Sequence, residues 1–310
     1  MCGQRQSGKR PRGAFPSPGG RVSLESKRWY LVFVPLAAVM GLVVGYPLVF
    51  SIYLSLTSVQ GTPELSNYVT MFSAPTFWNA LNISLLYSLC STILAVAIGL
   101  ALTYVLTLRF KLRGALEVVC LLPLAVAPIV VGTVFAPSGF WDDVQSFLVF
   151  QLHQPYFNEL SPAFYFPTMF VSEAWEWAPL IMLVALSIVQ GIPKEVSEAA
   201  EVSGATAFQK FRMVTLPAIF KSSVMQFIVV LRFIDAMRAF EIPLAWSNWL
   251  GYTTTIGSPV DTISLYLYKL LYSPTLGFPI GVATAVALTL FAITLLGSAF
   301  LMRLMKAVGG

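Results

Sequence analysis

Charged side chains gather at three places in a chain that is otherwise apolar, and their spacing allows particular chemistry. Arg232, Asp235 and Arg238 stand at i, i+3 and i+6. Residues three apart are neighbours on a helix, so Asp235 can pair with either arginine. Such a group either lines a wet route, hydrogen-bonding a passing ligand, or closes on itself as an ion-pair clamp. Glu173 and Glu176 alternate with Trp175 and Trp177. Aromatic planes and carboxylates suit a ligand with apolar faces and many hydroxyls, and tryptophans equally suit a membrane interface. The third place is Glu198-Ala199-Ala200-Glu201-Val202-Ser203-Gly204, followed after nine residues by Val214-Thr215-Leu216-Pro217.

Other chemistry is poorly supplied. Cys2, Cys90 and Cys120 are scattered with no CxxC pair, and the single histidine, His153, cannot build a His-rich metal site. Gly3 to Lys9 fits the first seven places of a phosphate-binding loop, but Arg10 stands where Ser or Thr should hold magnesium, and no strand precedes it. That match is read as coincidence. With one histidine and dispersed carboxylates, a membrane-embedded enzyme lacks a catalytic cluster.

The elements that must position these groups follow from composition. The chain is 57% hydrophobic and 11% charged, with a mean hydropathy of +0.76. Soluble domains carry about 25% charged residues. The long apolar runs predict an all-α polytopic membrane protein, because a lipid-embedded backbone must satisfy its own hydrogen bonds. Six spans are expected at 29–56, 78–108, 114–136, 167–190, 218–240 and 277–302. Pro123 and Pro128 predict a kink in the third. Straight helix rise puts Arg232 about 20 Å from Ala218, towards the outer side. Residues 1–28 are basic and rich in Gly, Pro and Ser, and are expected to form a disordered tail.

Charge sets the expected orientation, since Lys and Arg concentrate in cytoplasmic loops. With the tail inside, Arg109, Lys111, Arg113, Lys194, Lys210, Arg212, Lys221, Arg303 and Lys306 also fall inside. Both termini are then cytoplasmic, and Lys269 is the lone basic residue of the outer connections. The long outer connections hold Trp246, Trp249 and Tyr252, read mainly as interfacial aromatics, and a helix-like piece over 263–272.

The polar stretch at 194–217 lies on the same cytoplasmic side, between the fourth and fifth spans. Its residues favour a short helix after Pro193, with Glu195 and Glu198 near the positive end of the dipole. Gly204 permits a bend, a second turn follows, and the chain returns to the membrane at Leu216-Pro217. Val196, Ala199, Ala200 and Val202 cannot all be solvated on one short helix, so the stretch is expected to dock in a partner's groove.

The pattern Glu198-Ala199-Ala200, three residues, Gly204, nine residues, Val214-x-Leu216-Pro217 resembles the EAA loop of permease subunits of binding-protein-dependent ABC importers. Ser203 stands where that loop usually has Asp, and Val214 where it has Ile. The resemblance continues through Asn82, Gly99-Leu100-Ala101, Arg113-Gly114, Leu122-Pro123 and Trp175 with Pro179. Arg232-x-x-Asp235-Ala236-x-Arg238-x-Phe240 is similar to the maltose- and trehalose-type sugar branch, as is Gly257-Ser258-Pro259-Val260-Asp261-Thr262.

The resemblance implies a transmembrane domain over 29–310 whose loop 194–217 couples to an ATPase through Glu198, Ala199, Ala200, Gly204, Leu216 and Pro217. It implies a multi-pass subunit of the prokaryotic plasma membrane, with a second permease, two ATPase subunits and an extracytoplasmic solute-binding protein as partners. The substrate would be a di- or oligosaccharide, with Arg232, Asp235, Arg238, Glu173, Trp175, Glu176 and Trp177 along its route. ATP and magnesium would be used by the ATPases, and this chain would bind no cofactor and no nucleic acid. The tail would meet membrane lipid. A permease for a non-sugar solute, or an ion-coupled secondary transporter, are the alternatives.

Overall fold

The computed structural model describes residues 33–57, 61–108, 110–137, 142–152, 158, 160–272 and 280–309. The expected tail at 1–28 and His153 lie outside them. The fold is helical, and among the described residues the only extended pairing is an isolated bridge between Thr57 and Pro63.

The chain divides into two units, Met1–Phe50 and Ser51–Gly310. The described part of the first belongs to helix α1 (Phe33–Ser55). Its large apolar side chains, Phe33, Leu36, Leu42 and Tyr46 among them, are exposed. A helix apolar all round suits a surface that meets lipid or a membrane-embedded partner.

In the second unit, α2 (Ser66–Ser73) leads into α3 (Pro75–Thr107), which starts on a proline whose missing N–H costs nothing at that position. Then come α4 (Arg113–Leu121), α5 (Pro128–Phe135) and α6 (Asp142–Leu152). The long α7 (Pro162–Gln190) follows, then the short α8 (Lys194–Val202), α9 (Ala207–Lys221) and α10 (Ser223–Met237). The connection after α10 holds α11 (Glu241–Trp249) and α12 (Ile263–Tyr272), the piece expected to be helical. The last helix is α13 (Ile280–Gly309).

Four helices, α1, α3, α7 and α13, are long and apolar enough to cross a membrane, or up to six if each of two bent pairs is one span. The first pair, α4 with its 3-10 extension to Ala125 and then α5, bends by 99°. Pro128 has no N–H to donate and forces Ala127 into an extended conformation, at ψ 138°. The prolines were expected to kink one helix, and the result is a sharp break. The second pair bends by 71° after Lys221. No proline follows there; Ser222 is extended at ψ 124°, and Gln226 Nε2 donates to the Phe220 carbonyl at 3.1 Å.

The core forms around α3, which pairs extensively with α7. Phe77 and Leu81 on α3 pack with Phe233, Ile263, Tyr266 and Val286 from α10, α12 and α13. Trp246, expected at the interface, is wholly buried with Tyr87, Val131, Tyr165 and Met169. The aromatic connection between α10 and α13 is therefore partly core. Gly99 marks the closest approach of α3 and α7: a Cβ there would sit 2.6 Å from Ile181 Cβ and 2.8 Å from the Ala178 carbonyl oxygen. Membrane helices gain packing from such small residues because no hydrophobic effect drives them together in lipid.

Gly99→Leu should therefore push α3 from α7 and destabilise the fold by about 1–3 kcal/mol or more, read as a lower unfolding midpoint in detergent. An unchanged midpoint would show that the contact carries no load.

Candidate functional site

The segment after α7 is built by local rules. Pro193 is extended at ψ 137° and starts α8, with Glu195 in the first turn. At the other end the Gly204 N–H reaches the Glu201 carbonyl at 3.0 Å and the Ala205 N–H the Ala200 carbonyl at 3.1 Å. This is a Schellman closure, and it needs the positive φ of 76° found at Gly204. Ser203 Oγ donates to the Ala199 carbonyl at 2.8 Å, so the serine in the usual Asp place has a local bond. Thr206 and Gln209 then form a reciprocal capping box for α9. Lys210 Nζ meets Glu201 Oε1 at 2.7 Å, fixing α9 against α8. Tyr104, near the end of α3, holds Phe208 and Phe211 edge-on at 5.9 and 5.1 Å.

None of the α8 residues is buried. Glu198 and Ala199 are exposed, Ala200 is half-buried, and Val202 is 89% exposed. Leu216 is half-buried and Pro217 exposed where α9 turns back. A cavity of about 540 Å³ lies beside the segment, with Thr107, Arg113, Gln190, Lys194 and Lys210 in its wall.

The second group joins three helices. Arg232, on α10, is 0% exposed. Its Nη1 lies 2.9 Å from Glu173 Oε1 on α7 and 3.6 Å from Asp235 Oδ2. Its Nη2 donates to Ser91 Oγ on α3 at 3.0 Å. Tyr87, one turn before Ser91, donates to Glu173 Oε2 at 2.7 Å. The guanidinium also lies 5.0 Å from the centre of the Trp177 ring. Asp235 is shared, since its Oδ1 meets Arg238 Nη2 at 3.4 Å. Arg232 is thus the internal clamp, while Arg238 is exposed. The straight rise from Ala218 to Arg232 is interrupted, because the break at Ser222 lies between them.

A cavity of about 310 Å³ opens against this clamp, lined by Pro128, Glu173, Glu176, Trp177, Asp235, Arg238, Ala239, Phe240, Glu241 and Ile242. Of the residues singled out in the sequence, Arg232 stands behind this wall and Trp175 is not part of it. The Trp175 ring packs against Phe135 at 5.6 Å. Tyr87, Ser91 and Glu241 were missed. The first two sit at i and i+4 in an apolar helix, a polar stripe that the sequence does show.

The connection between α10 and α13 is tied to the same region. Asp261 accepts the backbone N–H of Gly257 and of Ser258, each at 2.9 Å, and the Ser258 hydroxyl. It also meets Lys269 Nζ at 2.7 Å, with both side chains buried. Lys269 donates further to Ser247 Oγ at 2.8 Å and the Thr255 carbonyl at 3.1 Å. Burial pushes its ammonium below the ordinary lysine range, against the opposing pull of Asp261. Thr262 Oγ1 donates to the Ala239 carbonyl at 2.7 Å, and Ser84 Oγ accepts the Ile263 N–H at 2.7 Å. The loop thereby fastens the end of α10 to α3.

Removing one member of a buried ion pair leaves the other uncompensated, at a cost of about 3–5 kcal/mol. Arg232→Met and Glu173→Gln should each destabilise the protein strongly, and the double variant should lose less than the sum of both. Additive losses in a thermal-unfolding cycle would deny the coupling.

No protein-family model matches the chain. It is 30% identical over 295 residues to the probable ABC transporter permease protein YurN of Bacillus subtilis, covering 89% of this chain and 95% of that one. It is 29% identical to the trehalose/maltose transport system permease protein MalF of Thermococcus litoralis, over 70% of this chain and 76% of that one. The fold matches a chain of a bacterial alginate ABC transporter in complex with an alginate pentasaccharide-bound periplasmic protein. The TM-score is 0.75 at 22% identity, covering 94% and 99% of the two chains. Sequence and fold agree, and the chain belongs to the ABC transporter permeases, as a multi-pass membrane subunit of a transporter.

Proposed function

We propose that this chain is one of two membrane subunits of an ATP-driven importer of a di- or oligosaccharide. The observation that carries this reading is α8, a short helix with none of its residues buried, set between apolar helices and closed by a capped glycine turn. Its exposed valines and alanines are the material of a helix that lies in a partner's groove. The partner is an ATPase subunit, contacted through Glu198, Ala199, Ala200 and Gly204, with Leu216 and Pro217 setting the return of the chain. Two such ATPases use ATP and magnesium, and this subunit binds no cofactor.

Six spans follow if each bent pair crosses once, with both termini on the cytoplasmic side of a prokaryotic plasma membrane. The cavity at Trp177, Glu176, Asp235 and Arg238 forms part of the sugar route, completed by a second permease. Carboxylates accept hydrogen bonds from sugar hydroxyls, and Arg238 donates to ring and hydroxyl oxygens. An extracytoplasmic solute-binding protein delivers sugar to the outer connections, a reading supported by the similar alginate transporter in complex with its periplasmic protein. Nucleotide-driven closure of the ATPases moves α8. Because α8 continues α7 through Gly191–Pro193, and α9 leads into α10, the motion reaches both walls of the cavity.

Two variants test this. Gly204→Trp forces a side chain into a φ of 76° and should leave basal ATP hydrolysis in place while abolishing its stimulation by sugar-loaded binding protein. Normal stimulation would count against docking at α8. Arg238→Ala should lower uptake per assembled complex by about 10-fold or more, the scale of one lost charged hydrogen bond. Equal uptake at equal assembly would remove Arg238 from the route.

A further inference from the structure

The charges around the 310 Å³ cavity do not balance. Four carboxylates meet there, Glu173, Glu176, Asp235 and Glu241, against Arg238 in the wall and Arg232 behind it. Arg232 and Glu173 neutralise one another in the buried pair. Asp235 is divided between Arg232 and Arg238. The carboxylates of Glu176 and Glu241 have no hydrogen bond or ion pair among the described residues. The wall therefore carries an excess of two carboxylates. Were Glu176 to hold a proton, Asp235 and Glu241 would still outnumber Arg238.

The rest of the wall is uncharged: Pro128, Trp177, Phe240 and Ile242 supply apolar surface. One side of Trp177 faces the Arg232 guanidinium at 5.0 Å; that charge is buried, is paired with Glu173 and makes no direct contact with the cavity. A saccharide with only hydroxyls finds acceptors, one donor arginine and an aromatic plane. A sugar carrying a carboxylate or sulfonate meets the same surface with unfavourable field. Rejection by like charge is an efficient source of specificity, because it acts on the wrong ligand and leaves the right one untouched.

We propose that this cavity selects neutral saccharides and excludes anionic ones, with Glu176 and Glu241 as the residues that set the selection. The inference rests on the reading of the cavity as part of a sugar route. An excess of one to two charges within about 10 Å of a ligand that carries several carboxylates corresponds to discrimination of about ten-fold.

The test uses the purified complex with its second permease and ATPases in nanodiscs, without the binding protein, so that only membrane-subunit selectivity is read. Neutral gluco-, manno- and galacto-trisaccharides are titrated against trigalacturonate and trimannuronate. Some neutral trisaccharide should bind about ten-fold tighter than either uronate, with the gap shrinking as salt rises. In the Glu176→Gln/Glu241→Gln complex the uronates should gain several-fold and the neutral sugar should change less. Uronates that bind as tightly as every neutral sugar, or a gap that the substitutions leave intact, would overturn the selectivity. If no sugar binds a complex that still hydrolyses ATP, the carbohydrate reading itself falls, and the selectivity with it.

Discussion

A guanidinium with no solvent exposure in a lipid-embedded helix bundle must be met by partners, and Arg232 organises its surroundings accordingly. Glu173 meets its charge, and Ser91 and Asp235 take further contacts. Glu173 in turn needs Tyr87 to complete its hydrogen bonding. These demands place α3, α7 and α10 in one mutual arrangement, because an uncompensated charge there is worth several kcal/mol. The approach of α3 to α7 at Gly99 serves the same arrangement by bringing the helices close.

The clamp also divides inside from outside in chemical terms. Behind it, Arg232 and Glu173 are buried and oppose one another's charge. In front of it, Asp235 connects to the exposed Arg238, and the cavity opens between α7 and the turn that joins α10 to α11. Helices held together by such a pair move as a body more readily than they separate. On the proposed function, a push on α8 would be passed to α7 through Gly191–Pro193, and α7 is tied to α10 by the Glu173–Arg232 pair. The Asp261–Lys269 network, with Thr262 on the Ala239 carbonyl, holds the C-terminal end of α10 to the loop beside it.

Those features that depend on neighbours in sequence were legible in it. The apolar runs reported the long helices, and Pro193, Gly204 and the spacing to Leu216 reported α8 and its closure. Pro128 announced an interruption, though 99° of bend is set by what α5 packs against: Gly132 approaches Ala245 so closely that a Cβ there would lie 2.8 Å from the alanine's. Arg232, Asp235 and Arg238 could be seen as a triad, but not which arginine would be buried. That choice depends on Glu173 and Ser91, which are 59 and 141 residues away in the chain and meet Arg232 only through packing. The break at Ser222 has no proline to signal it, so Ala218 and Arg232, read as one straight helix, belong to two. Trp246 and Trp175 show the same limit: the residue type fits an interface, a core or a binding wall, and tertiary contacts decide.

The most direct measurement is ATP hydrolysis by the complex isolated through a tag on this subunit alone, after expression with its neighbouring permease and ATPase. A stable assembly whose hydrolysis rises only when sugar-loaded binding protein is added is the predicted result. A chain that isolates alone and moves solute on an ion gradient would contradict it, and α8 would then have no ATPase to meet.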